Sequence, residues 1–212
     1  NASEGMLITD AHSRIIAANP AFSRITGYSP AEVVGRSPAL LNSGRQDAGF
    51  YRRMWSTLAS RGKWQGELWN RRRDGSIYPE WLSITAVQGE GDGEEGGPCN
   101  YIGIFSDITE RKEAEARILH LAHHDPLTNL PNRALLNDRL SQSLLQARRD
   151  GRGAAVLLLD LDRFKTINDT LGHERGDSLL LEVCARCRRV RRDTDTLARL
   201  SGDEFVIVLP DA

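Results

Sequence analysis

Apolar and polar residues alternate in short runs in the first half of the chain, which is typical of strands in an antiparallel sheet. The predicted strands are Met6–Thr9, Arg14–Ala18, Trp64–Arg71, Ile77–Val87 and Tyr101–Ser106. Asp74-Gly75 joins the third and fourth of these as a strong hairpin signal. Phe50, Met54 and Leu58 recur every four residues and predict a helix between the second and third strands.

From Thr109 the pattern becomes helical, first in a charged segment and then in a second helix that carries Leu136, Leu140 and Leu144. The remaining chain predicts a strand, two helices and two strands, in that order. Ala154–Leu159 is almost wholly apolar, which predicts a strand that is buried on both faces.

Composition narrows the class of protein. The 212 residues carry a net charge of −1 and are 40% hydrophobic, which favours a folded two-domain chain and argues against a nucleic-acid partner. Three cysteines do not form a disulfide framework, and no apolar run approaches the roughly 20 residues of a membrane span. The chain begins at Asn1, and we expect it to be an excerpt of a longer protein.

Two acidic clusters follow predicted strands. Asp160 and Asp162 stand where an apolar strand ends, close to Lys165, and offer hard oxygen ligands for Mg²⁺ and a cation for phosphate. Asp203 and Glu204 lie on a tight turn between the last two strands. Either cluster could be an ordinary solvated strand end or turn, but two strand ends of one sheet would bring both to a single cation.

The motifs of the second half resemble those of the GGDEF domain, the diguanylate cyclase family. Four segments carry the resemblance: Asp125–Arg133, Asp160–Asp169, Gly172–Asp177 and Arg199–Phe205. The first half resembles a PAS sensor domain in several segments and in its exit: Asn19–Phe22, Thr26–Tyr28, Trp64–Glu67 followed by Asn70–Gly75, and Asp107–Lys112.

These resemblances imply an α+β fold in two parts. We expect an N-terminal PAS fold, an antiparallel sheet with short flanking helices, over residues 1–108. A connecting signalling helix over residues 109–124 follows, and then the N-terminal part of a GGDEF domain over residues 125–212, a nucleotidyl-cyclase-like central sheet with helices. Because the GGDEF fold usually needs a longer chain, we expect this segment alone to be a poor catalyst.

The GGDEF resemblance implies condensation of two GTP molecules into cyclic di-GMP with release of pyrophosphate, in a dimer. It assigns Mg²⁺ or Mn²⁺ to Asp160, the Leu161 carbonyl and Asp203. Asp203 and Glu204 become the catalytic residues, since Asp203 helps to deprotonate the attacking hydroxyl and Glu204 supports the metal site.

The substrate contacts implied by the resemblance lie on the same motifs. Phe164 and Lys165 would meet the terminal phosphates, and Asn168 and Asp177 would bind guanine. Gly202 would lie against the nucleotide. An inhibitory site for cyclic di-GMP would use Arg192 and Asp195, although an arginine at the end of a helix also complements the helix dipole.

One position departs from the family motif, because Ser201 stands where its first glycine is expected. The expected result is weakened or retained activity. The alternative is a degenerate GGDEF domain that binds GTP or dimerises without turnover, and that regulates a downstream cyclic di-GMP phosphodiesterase of the EAL type.

The remaining features say less. Cys184 and Cys187 are spaced like a metal or redox pair but fit a core helix face better. The ligand of the PAS domain stays open. A flavin adduct would need a cysteine in the helical region, whereas the only cysteine of this half is Cys99, and His12 is poorly placed to bind a haem.

Trp64, Trp69 and Trp81 would either line a pocket or pack in the core or a dimer interface. An empty or self-filled PAS domain that dimerises, together with the connecting helix, is the favoured interpretation. We expect a cytoplasmic location, because GTP is cytoplasmic, with any membrane anchor lying upstream.

Overall fold

The computed structural model describes residues 3–87 and 100–211, which fall into two compact units, Asn1–Glu113 and Ala114–Ala212. Cys99 lies outside the described residues. Within them, no helix combines the length and the apolar character that a membrane span requires.

The first unit is a five-stranded antiparallel sheet with short helices. Its elements are β1 (Gly5–Asp10), β2 (Ile15–Ala18), α1 (Pro20–Thr26), α2 (Pro30–Val33), a 3₁₀ turn (Pro38–Leu41), α3 (Ala48–Arg61), β3 (Lys63–Arg71), β4 (Ile77–Val87) and β5 (Asn100–Asp107). The strand order is β2-β1-β5-β4-β3, so β1 and β5, the first and last strands of this unit along the chain, pair side by side in the sheet. The predicted strands and the predicted helix are therefore confirmed.

Local signals start and stop these helices. Asn19 Oδ1 accepts a hydrogen bond from Phe22 N at 2.8 Å and caps α1, which ends at Gly27 in the left-handed conformation. The helix then buries Phe22 edge-on against Phe105 of β5, with ring centroids 5.9 Å apart. This contact joins the helical layer to the centre of the sheet.

The second unit continues the chain with helices around a three-stranded sheet. Its elements are α4 (Thr109–His123, which begins in the first unit), α5 (Arg133–Asp150), β6 (Ala154–Leu159), α6 (Phe164–Leu171), α7 (His173–Val190), β7 (Thr196–Ser201) and β8 (Glu204–Pro210). The strand order is β6-β8-β7, with antiparallel pairing throughout. Both units mix helices with antiparallel strands, which confirms the predicted α+β class.

Two separate apolar clusters pack against the two faces of this sheet. One packs Leu180 and Cys184 of α7 with Phe205 of β8, and the other packs Leu136 of α5 with Val206. Cys187 is half-buried beside the first cluster, so the two cysteines are core residues, as the helix-face interpretation predicted. Burial raises the pKa of the Cys184 thiol.

The expectation that Ala154–Leu159 is buried on both faces is wrong. Val156, Leu157 and Leu158 are 52%, 48% and 69% exposed. The physical reason is position, because β6 is at the edge of the described sheet and pairs there only with β8, whereas the apolar clusters centre on β7 and β8.

Candidate functional site

In the second unit, the two acidic clusters lie at the same end of two neighbouring strands of the sheet. Leu159, the last residue of β6, pairs with Phe205 in β8. Asp160 directly follows Leu159 and Glu204 directly precedes Phe205, so the antiparallel register sets the carboxylates at the same end of neighbouring strands. Asp203 belongs to the turn that connects β7 to β8 at this end.

The turn between β7 and β8 is short, and the residue before it, Ser201, does not need the conformation of a glycine. Only Gly202 and Asp203 separate the strands, and Gly202 has a positive φ of 47°. Ser201 belongs to β7, where its extended backbone suits any residue, and its Oγ donates to Glu204 Oε2 at 3.2 Å. Serine in place of the family's glycine therefore introduces no positive φ and adds a contact to one of the carboxylates.

Arg199 holds this turn, a role that the sequence alone does not indicate. Its Nε and Nη2 donate to the Gly202 carbonyl at 2.9 and 2.6 Å, and its Nη1 lies 3.0 Å from Asp125 Oδ1. Its side chain is 10% exposed and that of Asp125 18%. The only signal in the sequence was the presence of both residues in the family motifs.

Asp125 is held from both sides. Thr128 donates to Asp125 Oδ1 through its backbone N at 2.8 Å and through its hydroxyl at 2.6 Å. Burial by itself raises the pKa of Asp125, but the hydrogen bonds from Thr128 and Arg199 outweigh it and the net pKa is lowered. Asp125 is thus held as an anion, and its carboxylate fixes the Arg199 guanidinium beside the turn.

The segment after β6 turns directly into α6. Phe164 N donates to the Leu161 carbonyl at 3.1 Å, which leaves that oxygen a second lone pair but engages the N–H expected to meet phosphate. The Phe164 side chain is buried in the core, whereas Lys165 and Asp160 are exposed. Asp160 therefore precedes α6 and Lys165 lies in its first turn, where backbone N–H groups favour anions.

Asn168 and Asp177 lie on two helices that approach closely. Asn168 is half-buried on α6, and its Oδ1 finds no hydrogen-bond donor among the described residues. A Cβ at Gly176 of α7 would lie 1.8 Å from this oxygen, so any larger residue there would force the Asn168 side chain to move. Asp177 follows on α7 and is exposed. The Asn168 oxygen therefore lies against Gly176, and its amide would have to turn for a ligand to reach it.

The donor chemistry at the sheet edge suits Mg²⁺ better than a metal that needs a full protein cage. In the described part of the chain no three His, Cys, Asp or Glu side chains group closely enough to hold a metal ion. Mg²⁺ usually takes one or two carboxylates and completes its shell with water and substrate phosphates. The carboxylates of Asp160 and Asp203 with the Leu161 carbonyl match this requirement.

The predicted inhibitory pair lies after α7. Asp195 is buried, and its Oδ2 accepts from Arg192 N at 2.7 Å, while Asp195 N donates back to the Arg192 carbonyl at 3.1 Å. The Arg192 side chain is exposed. Asp195 thus shapes the turn that presents Arg192, and the product site stays a prediction.

The first unit contains a cavity of about 370 Å³. Its lining includes Trp55 and Met54 of α3, Leu68 and Asn70 of β3 and Leu82 of β4. The described residues of this unit therefore leave space between them, and none of their side chains fills the pocket as a self-filled PAS domain would require.

The three tryptophans proposed for a pocket are not among the described lining residues. Trp64 packs edge-on against Phe50, with ring centroids 5.9 Å apart, and the Arg45 guanidinium lies 4.2 Å from the centre of the Trp69 ring. Trp81 is 39% exposed. The tryptophan that lines the cavity is Trp55 of α3.

Comparisons with known proteins agree with this architecture. A family model described as "PAS domain" matches residues 3–110, and one described as "Diguanylate cyclase, GGDEF domain" matches residues 122–212. The chain therefore belongs to the PAS-domain family, with a GGDEF domain of the diguanylate cyclase family after the PAS domain. Both resemblances drawn from the motifs are confirmed.

Individual relatives cover the chain to different extents. The "Bifunctional diguanylate cyclase/cyclic di-GMP phosphodiesterase MucR" of Pseudomonas aeruginosa is 54% identical over 101 residues, which are 48% of this chain and 15% of MucR. The "Probable diguanylate cyclase DgcE" of Escherichia coli is 31% identical over 211 residues, which are 98% of this chain and 19% of DgcE. The chain thus spans less than a quarter of either relative.

A solved structure is also similar. The GGDEF domain of TpbB from Pseudomonas aeruginosa is 49% identical, with a TM-score of 0.42, over 42% of this chain and 52% of that one.

Proposed function

We propose that the GGDEF domain condenses two GTP molecules into cyclic di-GMP in the cytoplasm, where GTP is found. Each 3′-hydroxyl oxygen attacks the α-phosphorus of the opposite GTP and displaces pyrophosphate. One P–O bond forms and one breaks at each phosphorus, and the proton leaves the attacking hydroxyl. The observation that carries the proposal is the β6–β8 register, which sets Asp160 and Glu204 at one edge beside the Asp203 turn.

The carboxylates have distinct tasks in this proposal. Asp203, which lies half-buried in the turn, accepts the proton of the 3′-hydroxyl. Glu204 is oriented by the Ser201 hydroxyl and supports the metal site. Arg199 keeps the turn in place because its guanidinium donates hydrogen bonds to the Gly202 carbonyl. The backbone of Gly202 can then approach the nucleotide without a side chain in the way.

Asp160, Asp203 and the Leu161 carbonyl would hold Mg²⁺ or Mn²⁺. When bound, the cation stabilises charge on the phosphate oxygens and on the attacking oxygen. The residues fit this role because their oxygens are hard ligands and Asp160 is exposed to an incoming triphosphate.

The remaining substrate contacts follow from the α6–α7 arrangement. Lys165 would meet the terminal phosphates at the start of α6, and the Phe164 N–H would join it only by sharing the hydrogen bond that it donates to the Leu161 carbonyl. Asn168 and Asp177 would bind guanine, whose N1–H and amino group would donate to the Asp177 carboxylate. Adenine lacks this pair of donors, so the site would select GTP.

The reaction needs two active sites that face each other, and we propose a homodimer that forms through the PAS domain and the connecting helix. Ile118, Leu119 and Leu121 of α4 are 69%, 63% and 52% exposed, and pairing with a second copy would bury them. Arg192 and Asp195 would bind cyclic di-GMP as a product inhibitor at the end of α7.

A second function is favoured by two observations, namely the departure from the family motif at Ser201 and the bifunctional description of MucR. In this alternative the GGDEF domain binds GTP or dimerises without turnover and regulates a downstream EAL-type phosphodiesterase domain.

One experiment separates the two functions. The full-length protein is incubated with GTP and Mg²⁺, cyclic di-GMP is measured by chromatography, and GTP binding is measured separately. We expect product from the wild type and none from Asp203→Asn, with GTP binding kept within about fivefold. GTP binding without product at any protein concentration would instead establish the regulatory function.

A further inference from the structure

The cavity of the PAS domain has the size of a small-molecule site. A cavity of about 150 Å³ is known to accept benzene, so the 370 Å³ measured here would accept a molecule of roughly 15 non-hydrogen atoms. Tyr51 and Trp55 of α3 and Tyr101 of β5 line it together with aliphatic side chains. This lining favours a flat, largely apolar occupant.

The charge of the lining restricts the occupant further. None of the described residues that line the cavity is an Arg, Lys, Asp, Glu, His or Cys. A flavin phosphate or a haem propionate would be left without a cation, and a haem iron or a flavin adduct would find no side-chain ligand or thiol among these residues. The lining of this cavity therefore suits an uncharged molecule.

One polar group of the lining is oriented from behind. Asn70 lines the cavity and is 8% exposed, and its Nδ2 donates to Glu80 Oε1 at 2.9 Å. Glu80 is 2% exposed and does not line the cavity. An ionised carboxylate can only accept hydrogen bonds, so it fixes the Asn70 amide with its NH₂ group towards Glu80. The Asn70 carbonyl oxygen is then the acceptor of the lining whose orientation is fixed from behind, in a wall that also includes Thr9, Ser13 and Ser37.

We propose that this cavity binds an uncharged, largely apolar molecule that carries one hydrogen-bond donor, and that Asn70, oriented by Glu80, accepts that hydrogen bond. The cavity is therefore a selective binding site rather than a packing defect. Asn70 supplies the selectivity, and Glu80 acts through it as a positioning residue.

The protonation of Glu80 controls the direction of this hydrogen bond. The groups that face Glu80 are Tyr78 of β4, Asn70 of β3, Arg72 after β3, Asp107 of β5 and Tyr51 of α3. Burial is the largest influence and outweighs the hydrogen bonds from Tyr78 and Asn70, which raises the pKa of Glu80 to about 7. Protonated Glu80 can donate, so the Asn70 amide is free to turn its NH₂ group towards the cavity below this pH.

Carbazole and fluorene test the proposal in the full-length protein. They are tricyclic and nearly equal in shape, but only carbazole has an N–H donor. We expect equilibrium dialysis at pH 8 to show carbazole binding about tenfold more tightly than fluorene, the effect of one buried hydrogen bond. At pH 6 we expect this preference to fall to about twofold or less. Equal affinities at pH 8, or no binding of either compound, would overturn the proposal.

Two variants complete the test. Glu80→Gln cannot titrate, so we expect its preference for carbazole to be the same at pH 6 and pH 8. Asn70→Leu should bind both compounds with equal affinity, because the oriented acceptor is gone while the apolar wall remains. A wild-type preference that does not change with pH contradicts the role of Glu80 without any variant, so the test does not depend on how well the variants fold.

Discussion

Arg199 and Asp125 lie 74 positions apart in the chain, yet Arg199 Nη1 and Asp125 Oδ1 are 3.0 Å apart in the folded domain. The same guanidinium donates twice to the Gly202 carbonyl. One buried cation therefore joins the first motif of the GGDEF domain to the turn that carries Asp203. The turn is not an isolated hairpin, because its position depends on a segment at the start of the domain.

Replacing Arg199 by lysine tests this linkage. Arg199→Lys keeps the charge but lacks the planar fork that reaches both Asp125 and Gly202. We expect a loss of about 2 kcal/mol in the free energy of unfolding and about a tenfold fall in cyclic di-GMP formation. Urea unfolding and product chromatography measure the two effects.

The matched control is Arg186→Lys. Arg186 pairs with Glu182 on the surface of α7, and both side chains are more than half exposed. An exposed pair contributes little, so neither stability nor turnover should change measurably. If Arg199→Lys behaves like this control, the linkage has no part in holding the turn.

Gly176→Ala tests the close approach of α6 and α7. The new Cβ would meet Asn168 Oδ1 at 1.8 Å, so Asn168 must move. We expect at least a tenfold loss of GTP affinity together with lower stability. Adding Asn168→Ala removes the clash, and this double variant should recover stability but not GTP affinity. Recovery of both would show that Asn168 does not contact the nucleotide.

Gly49→Ala in α3 is the matched control, because it also adds a Cβ to a glycine in a helix. The nearest atoms to its new Cβ are 3.3 Å away and belong to the flexible side chains of Arg53 and Asp47. We expect GTP affinity to stay at the wild-type value in this variant.

Ser201→Gly restores the family motif. Since Ser201 has an extended backbone and only an exposed hydrogen bond to Glu204, we expect cyclic di-GMP formation to change by less than about threefold. Steady-state turnover of the full-length protein measures this. A rise of a hundredfold would mean that the serine suppresses catalysis, and would favour the regulatory function for the natural sequence.

The stability of the PAS domain should depend on pH through Glu80. Its pKa is raised to about 7 in the folded state from an ordinary value of 4.5, so the folded state binds more protons between these values. The stability contribution is fully present below about pH 4.5 and is lost as the pH rises through 7.

We therefore expect wild type to lose up to about 3 kcal/mol relative to Glu80→Gln between pH 4.5 and pH 8. Denaturant titrations at several pH values measure this difference, and groups that both proteins share cancel from it. A difference that is constant with pH would show that Glu80 does not titrate in this range.

The sequence by itself determined the parts of the fold that depend on neighbouring residues. Asn19 caps α1, Asp74-Gly75 turns the β3–β4 hairpin, and the spacing of Met54 and Leu58 buries one side of α3. These signals act over a few residues, so they can be seen without knowledge of the rest of the chain. The motifs likewise pointed to the candidate metal and guanine residues.

The tertiary structure decided what depends on distant segments. An apolar run such as Ala154–Leu159 does not reveal whether its strand lies at the centre or at the edge of a sheet, and it proved to be an edge. The contact of Arg199 with Asp125 and the burial of Glu80 behind Asn70 have the same origin. Burial and pairing are set by which segments meet, and only the folded chain brings those segments together.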